Sequence, residues 1–141
     1  MLKDLFGQTI RVGLSEINMR DMSSPSDSET SPELRVEDSF SFSKNENYLR
    51  VEFTKAVSFD PPSVFNLSVS YFVEHILNHP GSLNSIPDAK IREEIINDIG
   101  YYSQQSQGFA MRLSLIIAQL TSSFGGPPLV LPPQLDVESK E

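Results

Sequence analysis

The chain has 141 residues, a formal net charge of −8 and no cysteine, so its length suits one domain, or one domain with tails. The missing cysteine excludes disulfides, thiolate metal sites and a cysteine nucleophile. The acidic balance argues against nucleic acid as a partner, because phosphate contacts require a basic surface.

The first predicted element is a strand over residues 8–21, followed by a polar crossover loop over residues 22–33. Apolar residues alternate along the strand in two phases: Ile10, Val12 and Leu14, then Ile17 and Met19. The slip by one residue at Ser15–Glu16 predicts a β-bulge or a twist. Two prolines, Pro25 and Pro32, argue against a helix or strand in the loop.

Three more strands are predicted, at Leu34–Ser43, Tyr48–Phe59 and Val64–Leu77. Each has an apolar face in alternation: Leu34, Val36, Phe40 and Phe42, interrupted by Asp38; Leu49, Val51 and Phe53; Phe65, Leu67, Val69, Tyr71 and Val73. Short turns at Lys44–Asn47 and Asp60–Ser63 separate them. Because parallel pairing needs crossovers of about a dozen residues or more, we expect a four-stranded antiparallel sheet, meander-like with a longer first crossover.

Two C-terminal helices complete the predicted α+β domain, which spans residues 1–135 and is followed by a disordered acidic tail over residues 136–141. The first helix opens at Pro87-Asp88 and carries apolar residues at roughly helical spacing: Ile91, Ile95, Ile99 and Tyr102. The second covers about residues 108–124, and one apolar stripe runs along it: Phe109, Leu113, Ile116, Ile117, Leu120 and Phe124. We expect both helices to pack against the sheet.

The last helix has a second apolar stripe, formed by Met111, Leu115 and Ala118. A helix on the outside of a small two-layer domain needs only one apolar face, and extended apolar surface is rarely left in water. The second stripe therefore predicts an oligomer interface at Met111, Leu115 and Ala118. The alternative is a helix isolated in the core.

No motif in the sequence carries catalytic chemistry, and we expect neither an enzyme nor a cofactor or metal site. His75 and His79 are four residues apart but straddle the end of a strand and a loop, so strand-end or surface histidines are the simpler interpretation. Gly125-Gly126 ends a helix and no lysine follows it, which argues against a phosphate-binding loop.

The sequence also predicts a cytoplasmic protein without membrane insertion. Its N-terminus lacks a long apolar stretch and a small-residue cleavage site, so no signal peptide is evident. Its longest apolar run is far shorter than the roughly 18 residues that a membrane-spanning helix needs.

The C-terminal quarter is the part of the sequence that points to a family. Phe109-Ala110-Met111-Arg112 stands at the start of the last helix, and Gly125-Gly126-Pro127-Pro128-Leu129-Val130-Leu131-Pro132-Pro133 follows it. This stretch resembles the SecB family of protein-export chaperones, whose last helix starts with a Tyr-Ala-Arg-Glu-like sequence and is followed by a Gly-x-Phe-Pro-x-Leu-x-Leu-x-Pro-like segment. The order of the predicted elements is also similar to that of the family.

The resemblance implies subunits that pair through edge strands, and two dimers that pack through the long helices into a homotetramer. It also implies an ATP-independent holdase, which binds unfolded polypeptides in hydrophobic grooves and keeps preproteins competent for export. Candidate groove residues lie on the apolar strand faces and in the C-terminal segment: Phe40, Phe42, Val51, Phe53, Phe65, Leu67, Leu129 and Leu131.

The family binds the SecA export motor through carboxylates on its exposed sheet face. Asp21 matches one of these carboxylates, whereas the position of the strand carboxylate falls at Ser68. Loop 22–33 lacks the aromatic residues that help to wall the family's groove, and the tail after Leu135 is short.

Three hypotheses remain from the sequence. The first is a SecB-like holdase for exported proteins. The second is a dedicated SecB-like chaperone of a toxin–antitoxin system, which would guard an antitoxin from degradation. The third is an oligomeric adaptor or structural protein that has no unfolded client.

Overall fold

The computed structural model describes residues 2–21, 33–60, 65–97, 109–123 and 128–132. The crossover loop up to residue 32, the Gly125-Gly126 pair and the C-terminal tail lie outside these ranges. The described elements, in chain order, are a short 3-10 helix at Leu2–Leu5, strands β1 (Phe6–Asp21), β2 (Glu33–Lys44), β3 (Tyr48–Asp60) and β4 (Phe65–Leu77), and helices α1 (Asp88–Asn97) and α2 (Phe109–Ser122).

The four described strands form one antiparallel sheet in the order β1-β4-β3-β2. Strands β2, β3 and β4 are neighbours both in sequence and in space, whereas the first connection leads from one edge of the sheet to the other. The predicted α+β fold, with its meander-like sheet and longer first crossover, is confirmed.

The register of β1 shifts between Leu14, which lies opposite Tyr71, and Glu16, which lies opposite Ser70. One residue of β1 is therefore inserted between two consecutive positions of β4, which is the predicted bulge at Ser15–Glu16. Because side chains alternate along a strand, the extra residue returns Ile17 to the same face as Leu14.

This alternation divides the sheet into two faces. The covered face carries the odd-numbered residues of β3 and β4, the even-numbered residues of β2, and Ile10, Val12, Leu14, Ile17 and Met19 of β1. The opposite face, here the polar face, carries the alternate residues. Both helices contribute to the core on the covered face, through Ile91 and Ile95 of α1 and through Leu113 and Ile117 of α2.

Full burial is concentrated on the two central strands. The core residues of the sheet with at most 2% of their surface exposed all come from β3 and β4: Leu49, Val51, Phe53, Val57, Leu67, Val69 and Val73. Burying one such side chain contributes roughly 1.5–3 kcal/mol, so these strands supply much of the hydrophobic stabilisation.

The covered face also contains a buried ion pair. The ammonium of Lys55 lies 2.8 Å from Oδ1 of Asp38, and both side chains are at most 5% exposed. These residues are directly opposite each other in the β2–β3 register. A charge at this depth is tolerated only when it is compensated, so the pair favours this register over a shifted one.

The loop between β4 and α1 fixes the start of α1 against β2. Nζ of Lys44 donates to the carbonyl oxygens of Leu83 and Ile86, at 3.3 and 3.0 Å, and lies 3.3 Å from a carboxylate oxygen of Asp88. Gly81 has a φ of 79°, a conformation that favours glycine, and it begins the tight turn. One lysine thus connects an edge strand, a loop and a helix N-terminus.

None of the described helices is both long enough and apolar enough to cross a bilayer.

Candidate functional site

Helix α2 presents two different faces. Leu113 and Ile117 are fully buried against the sheet. Met111 and Leu115, one helical turn apart on another side, are 55% and 56% exposed. Ala118 is half-buried on the same side. The structure therefore brings the three predicted interface residues together on one apolar strip, here the outer stripe.

The segment 128–132, here the strap, is hydrogen-bonded to α2 at two points. The amide of Leu129 donates to Oγ1 of Thr121 at 2.8 Å, and Oγ of Ser114 donates to the carbonyl oxygen of Pro132 at 3.3 Å. Residue numbers rise along the strap as they fall along the helix, so the strap runs antiparallel to α2. Seven helical residues and three extended residues both span about 10 Å, which makes the two attachments compatible.

One side chain of the strap is buried in the core and another is exposed to solvent. Leu131 is buried and Leu129 is partly buried against the core, whereas Val130 between them is 74% exposed. This alternation follows from an extended chain lying on an apolar surface. Leu129 and Leu131, two of the predicted groove residues, are therefore packed against the core.

The predicted groove residues fall into two groups by burial. Five are buried in the core: Val51, Phe53, Phe65, Leu67 and Leu131. Three are partly buried at its margin: Phe40, Phe42 and Leu129. In this conformation only the second group offers a ligand some side-chain surface, and the first group forms the layer beneath.

Apolar surface is also exposed at both edges of the covered face. Leu14 and Ile17 on β1, and Leu34 and Val36 on β2, are about two-fifths exposed. All four lie on predicted apolar faces, but the sequence pattern does not mark them as site residues. The missing information was the strand order, which leaves β1 and β2 with a neighbour on one side only within the described sheet.

A cation borders the partly buried aromatics of β2. The guanidinium carbon of Arg92, on α1, lies 5.1 Å from the ring centroid of Phe40 and 5.8 Å from that of Phe42. These distances suit cation–π attraction. The margin of the covered face at β2 therefore combines aromatic surface with positive charge.

The two positions considered for a motor contact lie on opposite faces of the sheet. Asp21 is opposite Phe65, which puts it on the covered face at the exposed end of β1. Ser68 is opposite Asn18 and Ala56 on the polar face. The structure does not bring Asp21 and Ser68 together on one surface.

The polar face has its own charged cluster near the middle of the sheet. The carboxylate of Glu74 is almost completely buried and lies 3.0 Å from Arg11 and 2.8 Å from Arg50. The Arg50 guanidinium also stacks over the Phe72 ring, at 4.0 Å from its centroid. A Cβ on Gly13 would lie only 2.9 Å from this ring, so glycine is what lets Phe72 cover β1.

The two histidines lie in different environments, one buried and one exposed. His75 is buried on the covered face, where its ring stacks on Phe6 at a centroid distance of 4.1 Å. Burial lowers the pKa of the His75 imidazole from 6.5 to about 4. His79 is exposed in the turn after β4. Within the described ranges, no group of three or more His, Cys, Asp or Glu side chains could hold a metal ion.

No family model and no curated protein matches the sequence. Among solved structures, the chain is similar to the SecB-like chaperone Rv1957 of Mycobacterium tuberculosis, solved in complex with a ChAD peptide from the antitoxin HigA1 (Rv1956). The TM-score is 0.64 at 11% sequence identity, and the match covers 93% of this chain and 88% of the other. At this identity the comparison establishes the fold.

Proposed function

Since the chain has the fold of a SecB-like chaperone, we propose that it is an ATP-independent holdase for unfolded polypeptides. The observation that carries the proposal is the apolar surface left exposed around a well-packed core, on both edge strands, on the outer stripe and on the strap. Unfolded segments expose apolar side chains that a folded protein buries. An exposed apolar surface can bind such segments with little dependence on their sequence.

The client surface proposed here is the margin of the covered face together with the strap. Phe40, Phe42 and Leu129 offer partly exposed apolar side chains, and Val130 adds an exposed one. The five buried groove candidates would support this surface from beneath and contact a client only after local rearrangement. An aromatic margin beside Arg92 suits clients that combine apolar and acidic residues.

Self-association is proposed through the outer stripe. Met111, Leu115 and Ala118 form an apolar strip, and leaving such a strip in contact with water is unfavourable. The proposed assembly is a homotetramer built as a dimer of dimers, with paired α2 helices between the dimers. Several client surfaces on one assembly would raise the affinity for a long unfolded chain through effective concentration.

Two classes of client are proposed, and one observation favours the second. The first is preproteins that await export, with SecA as a partner and Asp21 as a contact. The second is an antitoxin, because the structurally similar chaperone Rv1957 was solved with a peptide from one. Neither role requires catalysis or a cofactor.

The direct test is the aggregation of an unfolded, aggregation-prone substrate, followed by light scattering without nucleotide. We expect the purified chain to suppress scattering as its excess over the substrate rises. Unchanged scattering at excess chain would contradict the holdase function.

Adjacent residues of β2 provide a matched pair of variants for this assay. Val36→Ser removes exposed apolar surface from the covered face, whereas Glu37→Ser alters the neighbouring residue on the polar face. We expect Val36→Ser to weaken the suppression and Glu37→Ser to leave it unchanged. Equal effects of both variants would place client binding elsewhere.

The two client classes are distinguished by parallel measurements in cells. The half-life of an antitoxin encoded beside this chain would be measured with and without the chain, and so would the export rate of a preprotein. Stabilisation of the antitoxin alone supports the dedicated role, and faster export alone supports the export role.

A further inference from the structure

The polar face of the sheet carries an open cavity of about 390 Å³ near the C-terminal end of β1. The proposed holdase function does not use it. Six side chains of the polar face line it: Asn18, Arg20, Ala56, Ser58, Asn66 and Ser68.

The strand register explains the shape of this cavity. Arg20 lies opposite Asn66, and the next position along β3 after the Val57–Leu67 pair adds Ser58. These three residues form one row across three strands, and Arg35 of β2, opposite Ser58, continues it. Asn18, Ser68 and Ala56 form the adjacent row. The serines and the alanine are short, whereas arginine and asparagine are long. The cavity therefore forms because short side chains lie beside longer ones on a regular sheet.

The lining is rich in hydrogen-bond donors and contains one formal charge. Arg20 offers a planar guanidinium, the two asparagines offer amide groups, and the two serines offer hydroxyls. None of the side chains that line the cavity is a carboxylate. The cavity is thus a local group of hydrogen-bond donors on a chain whose net charge is −8.

Arg20 differs from the other arginines of the polar face. Arg35 forms an ion pair with Asp60, and Arg11 and Arg50 both pair with Glu74. Across the described part of the chain, no acidic partner lies within ion-pair distance of Arg20. Among the described arginines of the polar face, Arg20 is therefore the one whose guanidinium is available to bind an anion.

We propose that this cavity binds a carboxylate group, with Arg20 as its counterion and the Asn18, Asn66 and Ser68 side chains as flanking donors. A guanidinium matches the two oxygens of a carboxylate, and neutral donors on both sides add hydrogen bonds without further charge. A singly charged group suits a site with one cation on an acidic protein better than a phosphate dianion does. The volume lies at the small end of ligand pockets, which suits one acidic side chain or a small organic acid.

The experiment is a titration of the full-length chain with short peptides, followed by the amide signals of Arg20 and Asn66 in NMR spectra. The probes are the blocked tripeptide Gly-Glu-Gly, its glutamine counterpart Gly-Gln-Gly, acetate and inorganic phosphate. We expect saturable shifts with a carboxylate probe, and weaker or no shifts with Gly-Gln-Gly and phosphate. Tighter binding of the glutamate peptide identifies a polypeptide source for the carboxylate, and tighter binding of acetate identifies a free acid.

Matched variants separate a specific site from a general charge effect. Arg20→Gln should weaken binding about tenfold, because a charge-assisted contact is lost. Lys90→Gln removes the same charge from an exposed position of α1, and we expect it to leave binding unchanged. Equal weakening by both variants, no effect of Arg20→Gln in a folded protein, or equal binding of the glutamate and glutamine peptides would overturn the proposal. The test does not depend on holdase activity.

Discussion

At the scale of single residues, the clearest unusual feature is the Asp38–Lys55 ion pair within an apolar face. Replacing Asp38 with leucine removes the carboxylate next to a buried ammonium, and we expect a loss of about 3 kcal/mol in the free energy of unfolding. Urea denaturation would measure it. The double replacement Asp38→Leu with Lys55→Met should recover most of the loss, since apolar residues of similar volume often replace buried pairs without penalty. A double variant as unstable as the single one would contradict this account.

His75 makes the stability depend on pH. Its folded-state pKa of about 4 is below the value of 6.5 expected in the unfolded chain, so the unfolded state binds more protons between these values. Stability contributed by neutral His75 is complete above pH 6.5 and is lost as the pH falls to 4, by up to about 3 kcal/mol. Unfolding free energies from pH 7 to 4 would measure it. The variant His75→Phe should show a shallower decline, and an identical slope would exclude His75 as the cause.

The residue scale also shows what the sequence pattern lacks. Asp38 interrupts a predicted apolar stripe, but nothing in the alternation of either strand identifies Lys55 as its partner. The two are 17 positions apart, and their opposition depends on the β2–β3 register. Pairing across strands is a nonlocal property, so alternation within one strand could not reveal it.

At the scale of elements, α2 has two separable faces, one packed on the sheet and the other proposed as the oligomer interface. Charged residues in place of Leu115 and Ala118 should reduce the mass of the assembly in sedimentation without unfolding the subunit, because Leu115 is mostly exposed and Ala118 only half-buried. Gln119→Lys, an exposed change on the same helix, should leave the mass unchanged. An unchanged mass in the Leu115 and Ala118 variant would exclude the outer stripe as the interface.

The strap provides a second prediction at this scale. Thr121→Val removes the oxygen that accepts the Leu129 amide, and we expect about 1 kcal/mol of local destabilisation. Hydrogen exchange at the Leu129 amide should become faster. Ser122→Ala is the matched control, because among the described residues Oγ of Ser122 donates only to the Gln119 carbonyl, at an exposed position. Unchanged exchange in Thr121→Val would show that the Ser114–Pro132 hydrogen bond and the packing of Leu131 hold the strap without the Thr121 contact.

Local elements were largely predictable from the sequence. The four strands lie within two residues of their predicted bounds, and the phase change in β1 located the bulge, because alternation with a period of two is a strong signal. The exposed positions at Leu14, Ile17, Leu34 and Val36 were not predictable, since their exposure depends on which strands lie at the edges. Only the long-range pairing of β1 with β4 decides that.

At the scale of the whole molecule, the two faces of the sheet differ in chemical character. The covered face combines a buried centre with apolar margins, which is the arrangement expected for holding extended, apolar segments. The polar face combines paired charges with the cavity beside Arg20. The molecule can therefore present two chemically distinct surfaces on opposite sides of one sheet.

The strand order has a consequence for biosynthesis. Because β1 pairs only with β4 in the described sheet, β1 leaves the ribosome before the other strands of this sheet but acquires its partner only after all three have been made. The hairpins of β2, β3 and β4 involve shorter loops and lower closure entropy, so they can form earlier. During that interval the nascent chain exposes the free edge of β4 and an unpaired, partly apolar strand. A protein proposed to hold unfolded chains is thus, while being translated, itself an incompletely folded chain of the kind that it would bind.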